Sequence, residues 1–123
     1  MLTSETTQTA IAPALPKDFL RPCLLLLLRE DPAHGYDLLE RVSALGFEPL
    51  EPGGLYRALR KLEQDRLVRS AWEPSRAGPQ RRIYEITRLG MEELHERAQA
   101  LAGGVRVVET LLARYGEFVA LHR

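Results

Sequence analysis

The chain has 123 residues, 45% of them hydrophobic, a length that supports one modest core and one protruding element. Its 17 Lys/Arg balance 17 Asp/Glu, which excludes attraction to nucleic acid through bulk charge and leaves only local charge placement. A single cysteine, Cys23, excludes a disulfide framework and a cysteine metal cluster, and it points to a reducing cytoplasm.

The charges are unevenly placed. Residues 1–52 hold four Lys/Arg against eight Asp/Glu, residues 53–90 nine against four, and residues 91–123 four against five. Residues 1–17, rich in Thr, Ala and Pro, read as a flexible arm without a signal-peptide core. Asp18 is placed to cap a first helix running to about Arg29, with Pro22 tolerated near its first turn. Its leucine run, Leu24 to Leu28, is far short of the ~18 apolar residues of a membrane span. A helix so apolar on all sides needs cover on several sides, so it is expected beneath other helices and beneath a second subunit, with Leu24 and Leu27 at that contact. Asp31-Pro32 ends it. His34-Gly35-Tyr36-Asp37 opens a second helix with a stripe of Leu38, Leu39, Val42 and Leu45, stopped by Gly46.

Pro52 begins the most informative stretch. Leu55, Leu59 and Leu62 recur at helical spacing, which leaves Tyr56, Arg57, Arg60 and Lys61 on the exposed arc. Such an arc offers guanidinium, ammonium and phenol donors to phosphates and base edges. Two β-rich runs follow, Leu67 to Glu73 and Arg81 to Thr87, separated by the turn formers Pro74-Ser75-Arg76-Ala77-Gly78-Pro79-Gln80. Three helices followed by a hairpin outline a winged helix-turn-helix, whose wing would bring Arg76, Arg81 and Arg82 to the DNA backbone or the minor groove beside the third helix. Trp72 is expected to plug the hairpin into the core, with a pocket wall as its other reading.

Thr87 is placed to cap a last helix. From there Met91, Leu94, Ala98, Leu101, Val105, Val108, Leu112, Tyr115 and Val119 follow at alternating steps of three and four, a heptad seam that predicts pairing with a second copy. Val107, Leu111, Phe118 and Leu121 add an adjoining apolar face. Gly103 and Gly104 lie within the seam without changing its phase.

The expected fold class is mainly α (α+β): a winged helix-turn-helix with a two-stranded wing and a long C-terminal dimerisation helix. The divisions are the arm at 1–17, the DNA-binding domain at 18–87 and the dimerisation helix at 88–123. His34, His95 and His122 are scattered without metal-ligand spacing, and there is no Gly-rich phosphate loop, so no enzyme, metal or cofactor is expected. The expected partners are double-stranded DNA and a second copy of the chain, with a small hydrophobic effector between the first and last helices and no membrane. The rival reading is a winged-helix protein-interaction module without DNA binding.

With these residues in view, the chain resembles the PadR family of bacterial transcriptional regulators over about residues 19–101. The resemblance is carried by the leucine run with His34-Gly35-Tyr36, by Pro52-Gly53 with Leu55-Tyr56-Arg57-Ala58-Leu59 and Leu62-Glu63, and by Gly78-Pro79, Arg82, Tyr84 and Thr87 before Gly90. The Phe19 to Leu24 opening and the wing also look like the polyhydroxybutyrate-responsive repressor branch. The resemblance implies a homodimeric repressor on a palindromic operator. It puts Gly53, Gly54, Tyr56 and Arg57 at the DNA-facing start of the recognition helix, Arg60 and Lys61 a turn further on, and Tyr36 near a phosphate. Two residues depart from the family pattern: Gly54 replaces a hydroxyl residue, and Arg66 replaces the glycine that usually ends the recognition helix.

Overall fold

The computed structural model describes residues 13–46, 50–74, 78 and 80–121. Along the chain run α1 (Leu20–Glu30), β1 (Ala33–His34), α2 (Gly35–Ala44), α3 (Pro52–Gln64), β2 (Val68–Glu73), β3 (Arg81–Ile86) and α4 (Arg88–Leu121). The protomer is built around α1, which touches α2, α3, α4 and β3. Leu24 and Leu25 are fully buried, Leu27 and Leu28 nearly so, and they meet Leu38, Val42, Leu55, Leu59, Leu62, Val68 and Tyr84 in one core. Leu24 and Leu27, expected at a contact between subunits, therefore lie inside the protomer. Of the leucine run only Leu26, 42% exposed, faces outward. The helix begins one residue later than expected. Its N-cap position falls on Phe19, while Asp18 takes a left-handed conformation (φ 56°) and its carbonyl accepts the Arg21 N–H at 3.1 Å.

The strands form an antiparallel sheet in the order β1-β3-β2, three strands where two were expected. The extra strand is the link between α1 and α2, which lays Ala33 opposite Tyr84 and His34 opposite Ile83. β2 and β3 pair from Val68–Ile86 out to Glu73–Arg81. Alternation along the hairpin turns Val68 and Tyr84 into the core. Gly46, at φ 103°, ends α2 as its composition predicts, although Leu45 at the C-cap is largely exposed.

The turn from α3 into β2 fixes where the long helix starts. Arg66 adopts φ 64°, its N–H donates to the Glu63 carbonyl at 3.0 Å, and the Leu67 N–H donates to the Leu62 carbonyl at 2.9 Å. That is a Schellman closure with arginine where glycine is usual. Thr87 then joins the two elements: its hydroxyl donates to the Arg66 carbonyl at 2.7 Å and accepts the Gly90 N–H at 3.1 Å, capping α4. Gly90 allows this approach, because a methyl there would collide with the Leu67 carbonyl oxygen and the Ile86 side chain. From this anchor α4 runs as a continuous helix of 34 residues through Gly103 and Gly104.

Candidate nucleic-acid interface

Pro52 opens α3, pre-setting the first helical φ where its missing N–H costs nothing. Leu55, Leu59 and Leu62 face the core, which turns Tyr56, Arg57, Arg60 and Lys61 outward. The Arg57 guanidinium folds back over the first turn, close enough that a Cβ on Gly53 would lie 3.3 Å from its Nη1 and one on Gly54 3.7 Å from its Nη2. The two glycines thus leave room for a cation above the helix N-terminus. Pro52 has no N–H, and the N–H groups of Gly54 and Leu55 donate to the Glu51 carbonyl at 3.0 and 3.2 Å, so the guanidinium rather than the helix end is the main donor here.

Tyr56 has a second neighbour. Its ring lies against Gly35, the first residue of α2, where any side chain would displace it. Tyr36, the next residue, is exposed on the first turn of α2. Lys61 makes an i,i+4 ion pair with Asp65 at 3.4 Å. Among the described residues Arg57, Arg60 and Arg81 form no ion pair, and all three are exposed.

Arg82 is differently placed. Its guanidinium carbon lies 5.0 Å from the Trp72 ring centroid, its Nε donates to Ser70 Oγ at 2.7 Å, and its Nη2 is 3.9 Å from Glu63 Oε2. Ser70 Oγ in turn donates to Glu63 Oε2 at 2.8 Å, tying the wing to α3. Trp72 is 58% exposed and does not plug the core, because the sheet extends past the helices before reaching it. Arg76 lies outside the described residues.

At its far end α3 is clamped to the rest of the protomer. Arg21 of α1 donates to Asp65 at 2.8 Å and to Glu93 of α4 at 2.6 Å, and Arg97 lies 3.2 Å from the same Glu93 carboxylate. Hydrogen bonding to Arg21 holds both the Asp65 and the Glu93 carboxyls below the usual carboxylate range, and the Arg21 guanidinium is raised in return. On the other flank His34 Nε2 lies 2.9 Å from Glu73 Oε1, joining the start of α2 to the wing. The Cys23 thiol is buried and pushed above its usual value by that burial. Among the described residues no cluster of His, Cys, Asp or Glu is arranged to hold a metal ion, and no helix is long and apolar enough to cross a membrane.

Along α4, Met91, Val105, Val108, Leu112 and Tyr115 of the expected seam are exposed, Ala98 likewise, while Leu94, Leu101 and Val119 are half-buried. The adjoining Val107, Leu111, Phe118 and Leu121 are exposed as well. Between α1 and the first half of α4 runs an apolar groove of about 460 Å³, lined by Phe19, Pro22, Leu26, Met91, Leu94 and Ala98 among others.

A helix-turn-helix with a basic second helix, flanked by a β-wing, defines the class as winged-helix proteins. The pattern of the transcriptional regulator PadR-like family matches residues 24–96, more than half of the chain, and the chain belongs to that family. A PadR-like transcriptional regulator from Bacillus cereus is 29% identical and superposes with a TM-score of 0.70, over 78% of this chain and 93% of that one. A conserved protein of unknown function, described as a potential transcriptional factor, is 32% identical with a TM-score of 0.74, over 89% of this chain and 97% of its own. An uncharacterized 37.1 kDa protein in a transposon of Streptomyces fradiae is 34% identical over 79 residues, and the chain spans only 22% of that protein's length. These matches support the family and give the polyhydroxybutyrate-responsive branch no support of its own.

Proposed function

We propose that this chain is a sequence-specific DNA-binding regulator, acting as a homodimeric repressor on a palindromic operator. The observation that carries the reading is the exposed arc of α3, where Arg57 and Arg60 project without ion-pair partners from a helix locked to the core by three leucines. Arg57 and Lys61 reach base edges in the major groove, Tyr36 meets a phosphate, and Gly53 and Gly54 let the backbone of α3 approach the DNA. Arg76 and Arg81 anchor the wing to phosphates. Arg82, already engaged with Trp72, Ser70 and Glu63, sets the angle between wing and helix.

The exposed seam of α4 supports pairing with a second copy, which would carry two recognition helices to successive major grooves ~34 Å apart. A small hydrophobic effector entering the groove between α1 and α4 would change that separation and release the operator. Selection of bound fragments from a random duplex pool tests the reading. A symmetric consensus is expected, and neutralising Arg57, Arg60 and Lys61 together should abolish its retention. Retention unaffected by that triple substitution would instead mark a protein-interaction module.

A further inference from the structure

Trp72 is the chain's single tryptophan, and nothing in the core explains its position. Alternation along β2 puts Val68, Ser70 and Trp72 on the face turned toward α3. On that face Val68 is almost fully buried and Ser70 is half-buried, whereas Trp72 stands mostly in solvent. The core-facing side of the wing therefore runs outward past the core and ends on a large, flat apolar surface.

The ring is also held in place. Its cross-strand partner Arg82 stacks on one face, and Arg82 is fixed through Ser70 to Glu63 on α3. Side chain by side chain, the indole is tied to the helix whose opposite edge carries Arg57 and Lys61. Tyr84, paired with Ser70 in the register, is buried beneath this brace. An aromatic surface presented at fixed height beside cationic side chains suits a sugar–phosphate edge, where apolar deoxyribose faces alternate with phosphates.

We infer that Trp72, braced by Arg82, is a DNA-contacting residue that packs its indole against deoxyribose at the edge of the groove beside the recognition helix. This inference rests on the DNA-binding reading above. It also divides labour within the wing. Arg76 and Arg81 supply charge, and Trp72 supplies an apolar contact that releases no counterions.

Because Trp72 is the only tryptophan, its own fluorescence reports the contact. The full-length protein is titrated with the selected duplex, with binding followed independently by anisotropy of end-labelled DNA. At saturation, acrylamide quenching of the tryptophan is expected to fall severalfold. Trp72→Ala should weaken binding roughly tenfold for any duplex sequence, Trp72→Phe should recover most of the loss, and neither should change the slope of affinity against salt. Thermal unfolding of both variants checks that they remain folded. Unchanged quenching at saturation, or a Trp72→Ala variant that binds as tightly as the parent, overturns the inference while leaving DNA binding intact. Absence of duplex binding by the parent overturns both. A salt slope reduced in Trp72→Ala would mean that the residue acts only by holding the wing's phosphate-binding arginines in place, and this too overturns the direct contact.

Discussion

At the scale of single residues, two positions show how the site is constrained from beneath. Arg66 holds a left-handed conformation that glycine would adopt freely, and the bonds that close the turn are backbone bonds that glycine would keep. Arg66→Gly should therefore raise stability by about 1 kcal/mol, seen as an upward shift of several degrees in thermal unfolding, while a downward shift would show that the arginine side chain holds the turn. Gly35 acts on the interface at one remove. A methyl there meets the Tyr56 ring, whose hydroxyl end is free to swing outward. Gly35→Ala should thus lower affinity for duplex DNA with little loss of stability. The same substitution in a Tyr56→Ala background should have almost no further effect. Equal losses in both backgrounds would show that Gly35 matters for some reason other than Tyr56.

At the scale of elements, Arg21 is the joint between reading helix and long helix, because its guanidinium bridges Asp65 at the end of α3 and Glu93 near the start of α4. Both carboxyls sit below their usual range in the folded protein, so their contribution to stability is complete above the ordinary carboxylate pKa of ~4 and is lost as pH falls below it. Denaturant unfolding of the parent should weaken over that acid window. Arg21→Met should show a flatter dependence, with the two proteins converging at low pH; parallel curves would mean the clamp carries no linkage. The elements themselves were largely legible beforehand, since α2, α3, the hairpin and α4 each repeat their apolar residues over enough positions to establish a period. The leucine run of α1 is apolar on every side and has no such phase, so the sequence could not say that Leu26 rather than Leu24 or Leu27 turns outward. β1 is two residues long, too short for any alternation. Within the candidate site, the outward arc of α3 was readable from periodicity. The brace from Trp72 through Arg82 and Ser70 to Glu63 was not, because it joins two elements whose contact no local pattern encodes.

At the scale of the whole molecule, the question is what a 34-residue helix does when it leaves its own core after a few turns. At 1.5 Å per residue it spans about 51 Å, and its C-terminal half carries an apolar seam exposed to water. Exposed Val108, Leu112 and Tyr115 recur at steps of four and three, the spacing of a paired helix. In the proposed dimer, pairing and DNA reading would be coupled by geometry: α3 is clamped to α4 through Arg21 and Thr87, so a pair of long helices would fix the distance between two half-sites. A charge placed in the middle of the seam breaks this arrangement without touching the DNA-facing surface. The parent is expected to sediment as a dimer, and Leu112→Asp at the same concentration as a single protomer. Its affinity for an isolated half-site should match the parent's, whereas its affinity for the full palindrome should fall by roughly 10²–10⁴, the usual weight of linking two binding events. Equal losses on half-site and palindrome would mean that α4 supports the recognition helix within one protomer rather than across two.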